Sequence, residues 1–148
     1  NTPLAVGEGM SLLSSHCTCT EEEFDFAQST FSAAGKTVVV EDAVYTAANG
    51  ISGCGPAFVY EFIEAMADGG VRYGVPRTLA YKLAAQTLIG AAKMVLETGE
   101  HPGKLKDAVC SPGGSTIEGV YALEKDGMRA AVMDAVGASI EKTLRMAH

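Results

Sequence analysis

The spacing of apolar residues changes near Glu41, and this change most constrains how the chain can fold. Before it, residues 10–15 and the β-branched residues 37–40 are typical of short strands, with a helix between them. A capping box from Thr20 to Glu23 is expected to begin that helix, and Gly35 to end it. Strand, helix and strand within about 30 residues predict a βαβ unit with parallel strands and a right-handed connection. No helix or strand is predicted before it.

After residue 41 the apolar residues recur at the spacing of α-helices. The chain is therefore predicted to be mainly α, with a helical domain preceded by the βαβ unit. We place the domain boundary between residues 41 and 42, which divides the chain into residues 1–41 and 42–148. The helices are expected at residues 42–48, 56–73, 77–98, 102–110, 115–123 and 128–146.

The predicted helices carry more small and apolar faces than a compact monomer needs to cover. Gly69 and Gly70 each cost a helix about 1 kcal/mol relative to alanine, so a favourable interaction should offset this cost. We expect that interaction to be a close helix crossing. Gln86 and Thr87 lie in an apolar stripe, where burial without a partner is costly, so we expect them to hydrogen-bond across an interface. These features predict that a second copy of the chain supplies the missing surface.

The composition is typical of a globular domain, with 47% hydrophobic and 20% charged residues. A formal net charge of -7 argues against nonspecific binding to nucleic acid or anionic membranes, which requires clustered Lys and Arg. No apolar run approaches the about 18 residues of a membrane span, and no signal peptide is evident. We therefore expect a cytoplasmic protein.

The four cysteines lack the spacing of a disulfide framework or of a CxxC pair, which predicts reduced thiols. Cys17 and Cys19 could in principle hold a soft metal, but no second ligand pair accompanies them, so a surface loop is the favoured interpretation. His101 precedes Pro102 at a helix start, and none of the histidines has a pattern typical of metal binding or catalysis. We predict no metal site.

Residues 111–116 read SPGGST and separate two predicted helices. Pro112 cannot continue the incoming helix, and the two glycines after it allow positive φ, so successive N–H groups can converge on one point. Ser115 and Glu118 have the spacing of a capping box, which makes Ser115 the expected N-cap of the next helix.

The same segment is predicted to bind an anion. The first N–H groups of the helix and the positive end of its dipole would point into the loop, where a carboxylate or phosphate is the natural ligand. If capping occupies the Ser115 hydroxyl, Thr116 is left as the free hydroxyl beside that anion. A Pro-Gly turn without any ligand is the alternative, because the turn chemistry needs none.

Four segments, taken in order, resemble Δ1-pyrroline-5-carboxylate reductase. The longest is residues 105–124, which read LKDAVCSPGGSTIEGVYALE, and it contains the proposed loop. The other three are residues 52–59 (SGCGPAFV), 84–87 (AAQT) and 90–94 (GAAKM). The resemblance runs over essentially all of the chain, so chance is a poor explanation for it.

The resemblance implies a domain organisation. Residues 1–41 are expected to be the C-terminal part of a Rossmann domain that binds NAD(P), and residues 42–148 an all-helical domain for substrate binding and dimerisation. The resemblance implies a homodimer formed through this domain and leaves open whether the dimers assemble further. NADPH or NADH would be held mainly by a preceding domain, because no G-x-G-x-x-G follows a strand here. The chain alone is not expected to hold a dinucleotide or to be active.

The resemblance also implies roles for individual residues. The Thr116 hydroxyl would hydrogen-bond the ring nitrogen of the substrate, 1-pyrroline-5-carboxylate, and orient the ring for catalysis. Val109 would line the pocket that holds this ring. Asn1 would lie near the nicotinamide, although a polar linker residue is the alternative interpretation. The substrate carboxylate would be held by N–H groups around Ser111, Gly113, Gly114, Ser115 and Thr116.

Two functional hypotheses of different classes follow. In the first, the chain is part of an oxidoreductase acting on CH–NH bonds, which reduces 1-pyrroline-5-carboxylate, a small anion, to L-proline in the last step of proline biosynthesis. In the second, it is a helical dimerisation or binding module without chemistry. The Pro-Gly-Gly loop before a helix favours the first, because an interaction module has no need of converging anion donors.

Overall fold

A computed structural model of the protein describes residues 1–16 and 18–146. It is mainly helical after a βαβ unit, which confirms the predicted fold class. The elements are a 3₁₀ helix at Thr2–Val6, β1 at Gly9–Ser14, α1 at Glu21–Ser32, β2 at Gly35–Val40, α2 at Asp42–Ser52, α3 at Gly55–Arg72, α4 at Arg77–Thr98, α5 at Pro102–Ala108, α6 at Ser115–Lys125 and α7 at Met128–Met146.

The two strands pair in parallel, as predicted, from Gly9 opposite Gly35 to Ser14 opposite Val40. Gly35 was expected to end α1, but it begins β2, and Ala33 is the C-cap of the helix. The reason is close backbone contact, because a Cβ on Gly35 would overlap the backbone of Gly9. Gly35 also has a φ of 152°, which favours glycine.

The N-terminal caps explain where the first helices begin. The Thr20 capping box is confirmed: the Glu23 N–H donates to Thr20 Oγ1 at 3.2 Å and the Thr20 N–H donates to Glu23 Oε2 at 2.8 Å. The 3₁₀ helix at Thr2–Val6 was not predicted. Pro3 fits its first turn, and Gly7 closes it with a φ of 76°.

Several predicted helix ends differ from the structure, and a tertiary contact explains the difference in α2. The structure confirms the predicted bounds of α4 and α7, whereas α2 continues past the expected stop at Asn49 to Ser52. Gly50 is buried, and a Cβ there would overlap the side chain of Ile140 in α7, so close packing offsets the weak helix propensity of glycine. The helix α5 ends at Ala108 rather than at residue 110.

The chain divides into two compact units, described separately here. The first unit contains residues 1–58 together with the chain from residue 132 onward, and the second contains residues 59–131. This division by compactness differs from the predicted boundary between residues 41 and 42, which stays a prediction about domain organisation.

The second unit has a core of small side chains. Its buried apolar residues are Ala67, Ala80 and Ala84. A Cβ on Gly70 would lie at an ordinary van der Waals distance, 3.7 Å, from Val75 in the turn after α3, and Gly69 has open space around it. Neither position shows a contact that requires glycine, so the close helix crossing stays a prediction. Larger apolar residues of α3 and α4 are exposed: Val59, Tyr60, Met66, Leu79, Leu83, Ile89, Met94 and Leu96.

The polar residues of the α4 stripe are exposed in this chain. The Thr87 hydroxyl donates to the Leu83 carbonyl at 2.8 Å, so its hydrogen bond lies within its own helix rather than across an interface. The predicted interface bond of Gln86 is a property of an assembly and stays a prediction.

Candidate anion-binding site

The loop between α5 and α6 is a β-turn. The Gly114 N–H donates to the Ser111 carbonyl at 3.0 Å, which closes a turn with Pro112 and Gly113 in the middle. Gly113 has a φ of 69°, and proline followed by glycine with positive φ is the pattern of a type II turn. The predicted positive φ is confirmed at Gly113 and wrong at Gly114, where φ is -79°.

The expected cap of α6 is wrong. Gly114, with φ -79° and ψ 164°, is the N-cap, and Ser115 is the first helical residue. Glu118 is then the fourth helical residue, one position too far for a capping box with the N-cap. No side chain in the described part of the chain caps this helix.

This correction changes which hydroxyls are available. Ser115 was expected to use its hydroxyl for capping, which would leave Thr116 as the free one. Instead, both side chains are exposed, and neither hydroxyl makes a hydrogen bond to another residue that the structure describes. The residues themselves therefore do not single out Thr116, and its selection rests on the family resemblance.

The backbone donors of the loop fall into two groups. The Gly114 N–H is already engaged by Ser111, which removes it from the expected set of anion donors. The N–H groups of Ser111, Gly113, Ser115 and Thr116 have no partner within residues 1–16 and 18–146. Two of these four donors belong to the first turn of α6, where the helix dipole favours an anion.

The loop is open to solvent within the second unit. Ser111, Gly113, Ser115 and Thr116 are exposed, and Val109 is 65% exposed. A small anion can therefore reach the free donors. Position 114 is tight, which favours glycine: a Cβ there would displace the Ser111 hydroxyl and lie 3.1 Å from the Ser111 carbonyl oxygen.

Charged side chains beside the loop are paired. Lys106, in the last turn of α5, contacts Asp107 Oδ1 at 2.7 Å, and this hydrogen bond raises the pKa of Lys106. Arg129 Nε contacts Glu124 Oε1 at 2.6 Å. Because both cations have carboxylate partners, attraction for an anion comes mainly from the backbone donors and the α6 dipole.

Asn1 lies in the first unit, where both ends of its amide are used. Its Nδ2 donates to the Ser52 carbonyl at 2.9 Å, and its Oδ1 accepts from the Met10 N–H at 3.0 Å. Asn1 thereby joins β1 to the end of α2. It also lines a cavity of about 270 Å³ in this unit, together with Leu4, Met10, Ser11, Leu12, Leu13, Phe31, Tyr45, Asn49, Ser52 and Gly53.

His101 has a role that the sequence did not reveal. Its Nδ1 accepts a hydrogen bond from the Gly103 N–H at 3.0 Å, so its side chain caps α5. Histidine is not among the preferred N-cap residues, so residue type alone does not predict this cap. The signal was the His-Pro-Gly order at a predicted helix start.

The cysteines partly contradict the expectation of reduced thiols. Cys54 and Cys110 are free, as predicted, but Cys19 is disulfide-bonded. Cys17 lies outside the described residues. Across the part of the chain that the structure describes, no group of three or more His, Cys, Asp or Glu residues could hold a metal ion. None of its helices is both long and apolar enough to cross a membrane.

The chain matches known proteins along its length. Residues 42–146 match the family model for pyrroline-5-carboxylate reductase dimerisation. The chain is 48% identical over 148 residues to a pyrroline-5-carboxylate reductase of Arabidopsis thaliana, covering 100% of this chain and 54% of that protein. It is 48% identical over 146 residues to the pyrroline-5-carboxylate reductase of Escherichia coli, covering 99% of this chain and 54% of that protein.

Solved structures agree with these matches. The crystal structure of Plasmodium falciparum pyrroline carboxylate reductase with NADP bound has a TM-score of 0.93 and 38% identity, covering 100% of this chain and 60% of that one. A pyrroline-5-carboxylate reductase from Coxiella burnetii has a TM-score of 0.90 and 29% identity, covering 98% of this chain and 54% of that one. The chain spans about half the length of the curated relatives it matches.

Proposed function

The chain belongs to the pyrroline-5-carboxylate reductase family, and on that premise we propose that it supplies the substrate-binding and dimerisation part of an enzyme that reduces 1-pyrroline-5-carboxylate to L-proline. The observation that carries the proposal is the α5–α6 loop, where a glycine turn and a helix start leave four N–H groups without partners in the described chain, all on exposed residues. NADPH or NADH is the proposed reductant.

The substrate has two features that a binding site must recognise, a carboxylate and a ring imine. In this proposal the N–H groups of Ser111, Gly113, Ser115 and Thr116 hold the carboxylate. The Ser111–Gly114 hydrogen bond keeps the turn in shape, so Gly114 acts through the loop conformation rather than as a donor. Ser111 contributes the carbonyl that closes the turn.

Thr116 is the proposed contact to the reacting nitrogen. A hydroxyl is too weak an acid to protonate the imine unaided, so its role is to orient the ring and to relay a proton from water. Its exposed hydroxyl has no competing partner in the described chain, which supports this role. Val109, 65% exposed beside the loop, is proposed to line the pocket of the substrate ring.

The hydride comes from the nicotinamide cofactor, and the protein contributes placement. Asn1 is the residue of this chain proposed to approach the cofactor. Its amide keeps one Nδ2 hydrogen and one Oδ1 lone pair beyond the bonds to Ser52 and Met10, so a further contact is chemically possible. The cavity that Asn1 lines supports this assignment through its space and its mixed polar lining.

The proposed organisation has two domains, with residues 1–41 as part of the cofactor domain and residues 42–148 as the helical domain. A homodimer formed by the helical domain is supported by the exposed apolar residues of α3 and α4, which no other part of the second unit covers. The composition supports a cytoplasmic location without nucleic-acid partners, whereas the disulfide at Cys19 does not support that location.

An assay of the complete protein that contains this chain tests the proposal. The expected result is oxidation of NADPH or NADH that depends on 1-pyrroline-5-carboxylate, with L-proline as product. The competing hypothesis, a dimerisation module without chemistry, predicts a stable dimer and no turnover with either cofactor. Absence of turnover in a folded, dimeric preparation would therefore decide against the enzyme.

A further inference from the structure

The helix that leads into the anion-binding loop begins with a histidine cap. His101 Nδ1 accepts from the Gly103 N–H at 3.0 Å, and the His101 carbonyl accepts from the Lys104 N–H at 2.9 Å and from the Leu105 N–H at 3.2 Å. Gly103 leaves room for the ring, because a Cβ there would lie 3.0 Å from Nδ1. One residue therefore provides most of the bonds that start α5.

This cap is important because α5 has only seven residues. Isolated helices of fewer than about 12 residues are marginal in water, so a short helix depends on its ends. The last turn of α5 continues directly into the loop: the Val109 N–H donates to the Lys106 carbonyl and the Cys110 N–H to the Asp107 carbonyl, both at 3.1 Å. Loosening of the helix start would therefore reach the residues before Ser111.

The cap requires a neutral imidazole. Nδ1 accepts a hydrogen bond only when it carries no proton, and a positive ring at a helix N-terminus is opposed by the helix dipole. The charged residues next to His101 are Glu100 and Lys104, which contact each other at 2.6 Å. α4 packs against α5, and Glu97, the charged residue of its last turn, is exposed. Among the described residues, no carboxylate accepts a hydrogen bond from the Gly103 N–H, whose side-chain acceptor is His101 Nδ1.

We propose that His101 is a positioning residue for the α5–α6 loop, and that protonation of its imidazole weakens binding of the substrate carboxylate. The inference rests on the proposed function, because it concerns the same loop. His101 does not touch the substrate; it acts through α5. Protons then reduce substrate affinity more than they reduce the turnover of bound substrate.

The kinetic test compares three variants of the complete reductase with the wild type between about pH 5.5 and 8, within the range in which histidine side chains commonly change charge. In the wild type, KM for 1-pyrroline-5-carboxylate is expected to rise about three- to tenfold more toward low pH than in His101→Asn, which keeps a capping acceptor but cannot titrate. His101→Ala should have a raised KM at every pH. His16→Asn, a histidine change in the other unit, should retain the wild-type profile.

A structural measurement separates this inference from the proposed function. In amide spectra of the complete protein, the Gly103 signal and the signals of Gly113 and Thr116 should shift together as the pH falls, and His101→Asn should abolish all three shifts. If Gly103 shifts while the loop signals stay fixed, or if His101→Asn keeps the wild-type pH profile of KM, the inference is wrong. Absent reductase activity with intact coupled shifts would instead overturn the proposed function alone.

Discussion

The N–H of Gly114 donates a hydrogen bond to the carbonyl of Ser111 at 3.0 Å, and this single bond shapes the candidate site. It closes the turn at Gly114, which is also the N-cap of α6, while the neighbouring N–H groups have no partners in the described chain. An amide that was expected to bind the ligand therefore supports the turn instead.

Gly113→Ala should weaken carboxylate binding. Gly113 has a φ of 69°, where a side chain costs about 1–2 kcal/mol, so the turn would shift toward another conformation. We expect the Kd for a proline-like carboxylate to rise about tenfold, measured by calorimetry on the complete protein. Gly113→Asn is the matched control, because asparagine tolerates this region better and should lose less affinity. Equal Kd values for Ala and wild type would mean that the turn is not needed for binding.

Thr116→Ala should lower turnover more than it weakens binding. The hydroxyl is proposed to contact the reacting nitrogen, whereas backbone N–H groups hold the acid. Loss of a hydrogen bond to developing charge costs about 1.5–3 kcal/mol, which corresponds to roughly ten- to a hundredfold in kcat. Ser115→Ala is the matched control, since its hydroxyl is also exposed and unpaired in the described chain. The assigned role of Thr116 is wrong if both variants lose the same activity, or if neither loses any.

The chain should form a dimer through its helical part. Leu83 is 54% exposed on α4, next to other exposed apolar residues, and a second copy would cover it. Sedimentation equilibrium at micromolar concentration should show a dimer for the wild type and a monomer for Leu83→Glu. Lys82→Glu, which changes the preceding residue of the same helix, should remain dimeric. A wild-type monomer at that concentration would rule out the proposed interface.

The isolated chain of 148 residues should not bind NADPH or NADH tightly. It has no G-x-G-x-x-G after a strand, so the backbone donors that usually hold a pyrophosphate are missing from it. Calorimetry of this chain should give no sub-micromolar affinity, whereas the complete protein should bind. Tight binding by the isolated chain would show that residues 1–41 contribute far more to the cofactor site than proposed.

The capping box of α1 should make stability depend on pH in a defined direction. Hydrogen bonds from the Thr20 backbone and side chain lower the pKa of Glu23 from its usual 4.5. A carboxyl whose pKa is lowered by folding stabilises the folded state at pH values above its unfolded-state pKa. This stabilisation is lost as the pH falls through its folded-state pKa. Thr20→Ala should therefore lower the urea midpoint at pH 7 and have a smaller effect near pH 3. An equal effect at both pH values would contradict this linkage.

Sequence patterns predicted the elements whose ends are determined locally. The predicted bounds of α4 agree with the structure, where Pro76 is its N-cap and Gly99 its left-handed C-cap with a φ of 65°. The extension of α2 through Gly50 could not be predicted, because it depends on contact with Ile140, which is remote in sequence. Local sequence rules are sufficient where a capping residue determines the end of a helix. They fail where packing between residues distant in sequence determines it.

The candidate site shows the same limit at a smaller scale. The sequence indicated the loop, its positive φ and its free donors, but it offered two competing uses for neighbouring residues. The sequence is compatible with a capping box at Ser115 and with a turn closed by Gly114. In the structure Gly114 closes the turn and is also the N-cap, so Glu118 lies one position too far for a capping box. The choice between these arrangements depends on the backbone conformation of residues 111–114. The spacing of two residues in the sequence does not reveal that conformation.

The contact between Gly50 and Ile140 has a consequence for the order of events during synthesis. The first unit is built from two stretches of chain, with residues 59–131 inserted between them. During synthesis, residues 59–131 leave the ribosome before α7, the last described element to be translated. In that interval α2 lacks its contact with α7. The part of α2 around Gly50 that Ile140 contacts in the folded chain is therefore uncovered on the nascent chain until α7 has been synthesised.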